Sequence, residues 1–289
     1  MKPITKYILT FGLAVALSSQ TKAQLNPMKS QYFQNPYLVN AAMAGYQNKA
    51  EVFLNYSNQW NKIDGAPVLL SFSAAQPVND KAAVGLNIIN DKSGLMRKTQ
   101  VAGSFAYKVP FSAEHHIRFG VSLSWSQDRL DYTMATSSGV NDVQLAQFND
   151  RENYLDGNFG VAYQFKHFEA QFSYLSLNQK RYGRIASVDY ATFYSAVSYM
   201  INFDQSFGVK PLFAYRGIKN YDNQWDMAAE WKADMLRFYT MYHSNKSFTG
   251  GIGYLHQSNL NISLMYNSEP SDLRGFSGGI FDVVVGYKF

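Results

Sequence analysis

The side chains best suited to acid–base or metal chemistry near neutral pH are five histidines, at positions 115, 116, 167, 243 and 256. Their spacing matches no zinc pattern and none sits in a nucleophile motif. His115, His116 and His167 fall in short connections between predicted strands and read as solvated. His243 and His256 lie near strand ends, where an interior face is within reach. A Ser–His–Asp set needs no closeness in sequence, so it stays open, but no motif speaks for it. Among the carboxylates, Asp226 and Glu230 share one face of a predicted strand, about 13 Å apart at roughly 3.3 Å per residue. That exceeds the roughly 5 to 9.5 Å between paired carboxylates of glycoside hydrolases. With Lys210, Arg216, Lys232 and Arg237 on neighbouring strands, they read as a charge network that fills an interior. Gly250, Gly251 and Gly253 lie on a strand and not ahead of a helix, so they form no phosphate loop. The chain has no cysteine, which excludes disulfides, thiolate metal sites and acylation at a lipobox. These readings predict neither catalysis nor a cofactor nor a metal.

The elements that position these side chains alternate with period two. Ile117, Phe119, Val121, Leu123 and Trp125 share one face, and Arg118, Gly120, Ser122 and Ser124 the other. Trp225, Met227, Ala229 and Trp231 oppose Asp226, Ala228, Glu230 and Lys232 in the same way. A soluble sandwich alternates too, with its apolar face inward. Here the second face is rich in Gly, Ser, Asn and isolated charges, and segments run to lengths that cross a bilayer at a tilt. Aromatic residues (16%) equal charged ones (16%), which suits a membrane barrel with aromatic girdles.

The expected fold is therefore an all-β transmembrane barrel of about fourteen antiparallel strands. They lie near 50–57, 67–75, 81–90, 98–109, 116–128, 154–166, 168–178, 190–202, 207–216, 224–232, 235–243, 247–257, 259–267 and 279–289. Connections at 129–153, 179–189 and 268–278 are long, and those at 166–167, 203–205 and 232–234 are short, the asymmetry of outer-membrane barrels. A short link at Ser244-Asn245-Lys246 breaks the asymmetry and leaves the count open by a hairpin there. The last strand places Phe281, Val283, Val285, Tyr287 and Phe289 on one face. Tyr287 and Phe289 resemble the terminal aromatic signal read by barrel insertion machinery.

Lys2 and Lys6 precede an apolar run from Tyr7 to Leu17, and Thr21-Lys22-Ala23 fits a signal peptidase site, so residues 1–23 read as a signal peptide for the general secretory route. Without them the chain loses Lys2, Lys6 and Lys22 from its 26 basic side chains against 21 acidic ones, close to balance. No run of five or more Lys or Arg occurs, so nucleic acid is not an expected partner.

Residues 24–49 are irregular, since Pro27, Asn35-Pro36 and Asn40 discourage a regular element. Tyr32, Phe33, Tyr37, Leu38, Val39 and Met43 within it need burial, which points to a plug-like segment in or beneath a barrel spanning 50–289. Its pattern, Gln31-Tyr32, Asn35-Pro36, Asn40, Ala42 and Ala44-Gly45, then Gln59-Trp60 and Gly65-Ala66-Pro67, resembles the N-terminal signature of the PorP/SprF family of type IX secretion system membrane proteins. Departures are Ala41 and Met43, where the family commonly has Pro and an aromatic, and Ser57, where a basic residue is usual.

The resemblance implies a non-enzymatic outer-membrane component of a Bacteroidetes-type secretion and gliding apparatus. It implies contact with outer-membrane lipid, with periplasmic ring proteins, and with a secreted surface adhesin or other cargo. The rival readings are a plugged transport channel for a small solute and, with least support, a barrel enzyme.

Overall fold

The computed structural model describes residues 30–59, 65–130, 153–177, 191–218, 223–257, 259–268 and 278–289. The expected signal peptide, Trp60 and most of the three long connections lie outside them. Two short 3-10 turns, Pro36–Leu38 and Ala41–Met43, precede the strands. The strands are β1 (Glu51–Gln59), β2 (Val68–Pro77), β3 (Ala82–Ser93), β4 (Met96–Pro110), β5 (His115–Leu130), β6 (Tyr154–Phe165) and β7 (Phe168–Tyr174). Next come β8 (Ala191–Tyr199, continued after Met200 by Ile201–Asn202), β9 (Phe207–Ile218) and β10 (Gln224–Ala233). The last four are β11 (Leu236–His243), β12 (Phe248–His256), β13 (Leu260–Asn267) and β14 (Ile280–Lys288). Each pairs antiparallel with its neighbours in sequence, and β14 pairs with β1 from Glu51↔Lys288 to Gln59↔Ile280, which closes the ring. Closure leaves no edge strand, the requirement for β-structure in lipid.

The count of fourteen agrees with the sequence pattern, including the hairpin at 244–247. The boundaries differ where the apolar alternation fades before the ladder does. β3 and β4 continue through Asp91↔Lys98, Lys92↔Arg97 and Ser93↔Met96 to a tight turn at Gly94. His115 and His116 start β5 and are not solvated turn residues; His116 Nε2 lies 2.6 Å from Gln164 Oε1, and His115 Nε2 2.9 Å from the Tyr163 hydroxyl. Lys232 and Ala233 likewise stay in β10, and the two-residue turn that follows is closed by Asp234 at a φ of 51°. β7 stops at Tyr174 and not near 178, with Ser176 already at a φ of 60°. The β8–β9 ladder lapses between Leu212↔Ser198 and Val209↔Ile201, opposite Pro211, which has no N–H to give.

One face of every strand is apolar and open. Phe105, Val121, Leu123, Phe213, Met227, Leu264 and Phe281 are exposed, an outer belt that a bilayer covers. Tyr287 and Phe289 lie on that belt, Phe289 with its N–H on the Ala50 carbonyl (2.9 Å). The alternate positions point inward, and many are small: Ala83, Ala106, Ala162, Ala214 and Ala228 are all buried. A ring of fourteen strands lined by such residues cannot fill its own lumen. Residues 30–46 are buried almost throughout, against these inward positions.

Candidate functional site

The N-terminal segment descends inside the barrel, and each step is fixed by a polar side chain of the wall. Ser30 Oγ donates to Asp282 Oδ2 (2.5 Å), near the start of β14, and the Tyr32 hydroxyl donates to Asp226 at the start of β10. Asn35 Nδ2 donates to Ser73 Oγ (2.9 Å) in mid-β2, and the Tyr37 hydroxyl to Ser104 Oγ (2.9 Å) in mid-β4. Burial pushes the Tyr37 phenol up to about 12, so it stays neutral and able to donate. Asn40 Nδ2 donates to the Val161 carbonyl (3.1 Å) and to Gln171 Oε1 (3.3 Å). Lowest, Arg118 of β5 donates from Nε to the Ala42 carbonyl (2.8 Å) and from Nη2 to the Ala44 carbonyl (2.6 Å). Ser30 therefore sits toward the rim that carries the long connections, and Ala44 toward the rim of short turns.

Local sequence explains the shape of the segment. Asn35 precedes the first 3-10 turn, with Pro36 at a position where its missing N–H costs nothing. Asn40 caps the second turn, its Oδ1 accepting from the Ala42 N–H (3.0 Å). Gly45 ends it at a φ of 57°, and a Cβ there would come within 2.9 Å of Ala83 Cβ. The wall is matched to this shape. Gly120 and Gly160 face each other across β5 and β6, and a Cβ on either would overlap the backbone of Ala42 or the Asn40 side chain.

The six strands β9 to β14 each contribute one buried polar residue to a continuous belt. Arg216 Nη2 donates to Asp226 Oδ2 (2.8 Å), and His243 Nδ1 meets Asp226 Oδ1 (2.6 Å). His243 Nε2 lies 2.8 Å from Thr249 Oγ1, Thr249 donates to Asn267 Oδ1, and Asn267 Nδ2 donates to Asp282 Oδ2 (2.8 Å). The segment closes both ends, Tyr32 on Asp226 and Ser30 on Asp282. Asp226, His243 and Thr249 have the connectivity of a hydrolase triad. The Thr249 hydroxyl also meets Asn267, whose amide is oriented by its own bond to Asp282, so the three residues are tied into the belt as well as to one another.

Of the charge network read from sequence, Arg216–Asp226 (2.8 Å) and Arg237–Glu230 (3.8 Å) form, while Lys210 pairs with Glu169 (3.9 Å). Lys232 instead donates to the Gln205 carbonyl (3.0 Å), and His256 is exposed on the outer face. Thr249, Asn267, Asp282 and Arg118 were not singled out by sequence. Their common signal is a polar residue on the inward parity of an otherwise alternating strand.

Residues 21–287 match the model of the family described as type IX secretion system membrane protein PorP/SprF. The chain belongs to that family. Outer-membrane residence and a role in type IX secretion follow from this membership together with the barrel. No curated protein matches the sequence. Solved structures of similar fold include the Pseudomonas putida toluene transporter TodX (TM-score 0.54, 10% identity, 89% of this chain and 93% of that one). The CymD monoaromatic hydrocarbon channel matches with TM-score 0.53 and 11% identity, over 88% of this chain and 92% of that one. The Acinetobacter baumannii outer membrane protein Omp33 matches with TM-score 0.50 and 9% identity, over 83% and 98%. At such identities the likeness is one of fold.

The PorP/SprF signature divides into two places. Gln31, Tyr32, Asn35, Pro36, Asn40, Ala42 and Ala44 are buried against the inner wall, with Gly45 at the end of the second turn. Gln59 closes β1, its N–H on the Pro67 carbonyl (2.9 Å), and Gly65 accepts from the Gly94 N–H (2.9 Å), so Gln59, Gly65, Ala66 and Pro67 join two hairpins at the long-connection rim, the one nearer Ser30 and away from Gly45.

Proposed function

We propose that this PorP/SprF protein is a non-enzymatic outer-membrane component of type IX secretion that assists export or surface anchoring of secreted proteins, gliding adhesins among them, and contacts the periplasmic ring. In this reading the N-terminal segment is a plug, so the barrel serves as an anchoring platform and not as an open pore. The observation that carries it is the burial of the family signature. The residues that mark a secretion-system chain are spent on fastening residues 30–45 to the wall, through Arg118, Asp226 and Asp282. Affinity purification from native outer membranes, with identification of the bound chains, tests the reading. Recovery of a secreted adhesin or of periplasmic ring subunits is expected. Unchanged secretion in a deletion strain would overturn it.

A second reading, a plugged channel for a small solute, draws on the fold shared with a hydrocarbon channel and a toluene transporter. Conductance in planar bilayers separates the two. The full chain should be closed, and deletion of residues 24–48 should open it. Selective solute flux through the full chain would favour the channel.

A further inference from the structure

On β3, β4 and β5 the outward face changes in steps as the strands climb to the long-connection rim. Ile88, Val101 and Trp125 stand opposite one another across the three strands, on the parity of the exposed Leu86, Phe105 and Leu123. The next outward row is Asn90, Thr99 and Gln127, polar and uncharged. Asn90 Nδ2 donates to Thr99 Oγ1 (2.9 Å), and Gln127 Nε2 to Asn153 Oδ1 (2.9 Å). The row above it is Lys92, Arg97 and Arg129, three cations in direct register, with Arg97 and Arg129 exposed.

The acids at this height take the other face. Asp91 and Asp128 have the inward parity and stand on either side of Lys98, as Asp91↔Lys98 and Lys98↔Asp128. The charges are thus sorted, with a mixed row inside and a purely basic row outside. Across the ring, the outward faces of β11 to β14 reach the same rim in Tyr242, Phe248, Tyr266 and Phe281, all exposed and none charged.

Height places the basic row. A strand tilted by about 40° climbs roughly 2.5 Å per residue, so Ile117 to Trp125 covers about 20 Å of an apolar band about 25 Å tall. Arg129 then stands about 10 Å above Trp125, just beyond the hydrocarbon. The three rows follow the layers of one leaflet: acyl chains, then esters and hydroxyls, then phosphates. The rim of long connections faces the cell exterior in outer-membrane barrels, so this leaflet is the outer one, whose anionic lipid is a phosphorylated glycolipid.

We propose that Lys92, Arg97 and Arg129 form a docking site for the phosphates of an outer-leaflet glycolipid of the lipid A class, whose acyl chains lie along Leu86, Phe105 and Leu123. Like charges directly opposite one another repel across a ladder, and a phosphate over the row turns that repulsion into attraction. The guanidinium groups of Arg97 and Arg129 offer planar forks that match phosphate oxygens in pairs. The site is separate from the lumen and from the contacts proposed for secretion.

The test titrates the full-length protein, delipidated in detergent micelles, with fluorescent lipid A, with lipid A stripped of its phosphates, and with phosphatidylglycerol. Saturable binding of phosphorylated lipid A is expected, weakened at least tenfold by loss of the phosphates and weakened also by salt at about 0.5 M. The triple change Lys92→Gln, Arg97→Gln, Arg129→Gln should weaken it at least tenfold. Lys166→Gln, which removes an exposed cation from the short turn between β6 and β7, should leave it unchanged. Folding of each variant is read from heat-modified mobility on gels. Phosphatidylglycerol or dephosphorylated lipid A binding as tightly as lipid A, or lipid A binding that survives the triple change in a folded protein, overturns the proposal.

Discussion

Arg118 shows how one side chain holds the segment. Its guanidinium supplies two charge-assisted hydrogen bonds to the end of the second 3-10 turn, where carbonyls have no partner of their own. Arg118→Met keeps length but removes both bonds, each contributing about 1.5–3 kcal/mol. Exchange of residues 30–45 should then speed up by roughly 100-fold, a loss of about 3 kcal/mol of docking; unchanged exchange would show that Arg118 is not the holdfast. Gly160→Leu should displace the same turn by overlap with Asn40, while β5 and β6 remain paired and protected. At the belt, Asp226→Ala leaves Arg216 and His243 facing each other without their carboxylate and should destabilise the barrel by about 3–5 kcal/mol. The triple change Arg216→Met, Asp226→Leu, His243→Leu removes the whole cluster and should cost less. Urea unfolding in micelles compares the two, and an equal or greater cost for the triple change would contradict the clamp.

At the scale of elements, the segment and the β8–β9 pair behave differently from the rest. Ser30 meets the wall close to the long-connection rim, so an epitope placed ahead of Ser30 should be reached from that side. Antibody labelling of intact cells checks this; labelling only after the outer membrane is permeabilised would contradict the direction of descent. The β8–β9 ladder is broken opposite Pro211 and has a register shift at Gly217/Ile218. Amides near the break, in 198–201 and 208–212, should exchange faster than those of mid-β4 and mid-β5, whose pairing is continuous from Met96↔Leu130 to Pro110↔His116.

For the whole molecule, an apolar exterior and a polar interior reverse the arrangement of a soluble domain. Many Tyr, Phe and Trp that would fill a core lie outside, and burial inside is carried by hydrogen bonds, small residues and a cluster in which Phe53, Tyr194, Tyr239, Met241 and Met265 of the wall pack with Tyr32 and Val39 of the segment. In the proposed reading, the N-terminal segment completes the interior of the barrel. Assembly of a chain lacking residues 24–48 should therefore yield a barrel that still inserts but unfolds at lower temperature, read by the gel shift on heating.

The sequence by itself determined the strands, their number, the lipid-facing sides and the family, because period-two alternation and short polar turns are local properties. It also marked Asp226 and Arg216 as parts of an interior charge network, whereas His243 and His256 were both only within reach of an interior face, and of the two His243 alone is buried. Only the tertiary structure decided which inward residues meet. Closure through β14 and β1 brings Asp282 beside Ser57, 225 positions earlier in the chain, and the returning segment then bridges Asp226 and Asp282 through Tyr32 and Ser30. The same closure divides one sequence signature between the lumen and a rim. Long-range contacts of this kind depend on strand order, register and the path of an irregular segment, and none of these leaves a periodic trace in the residues.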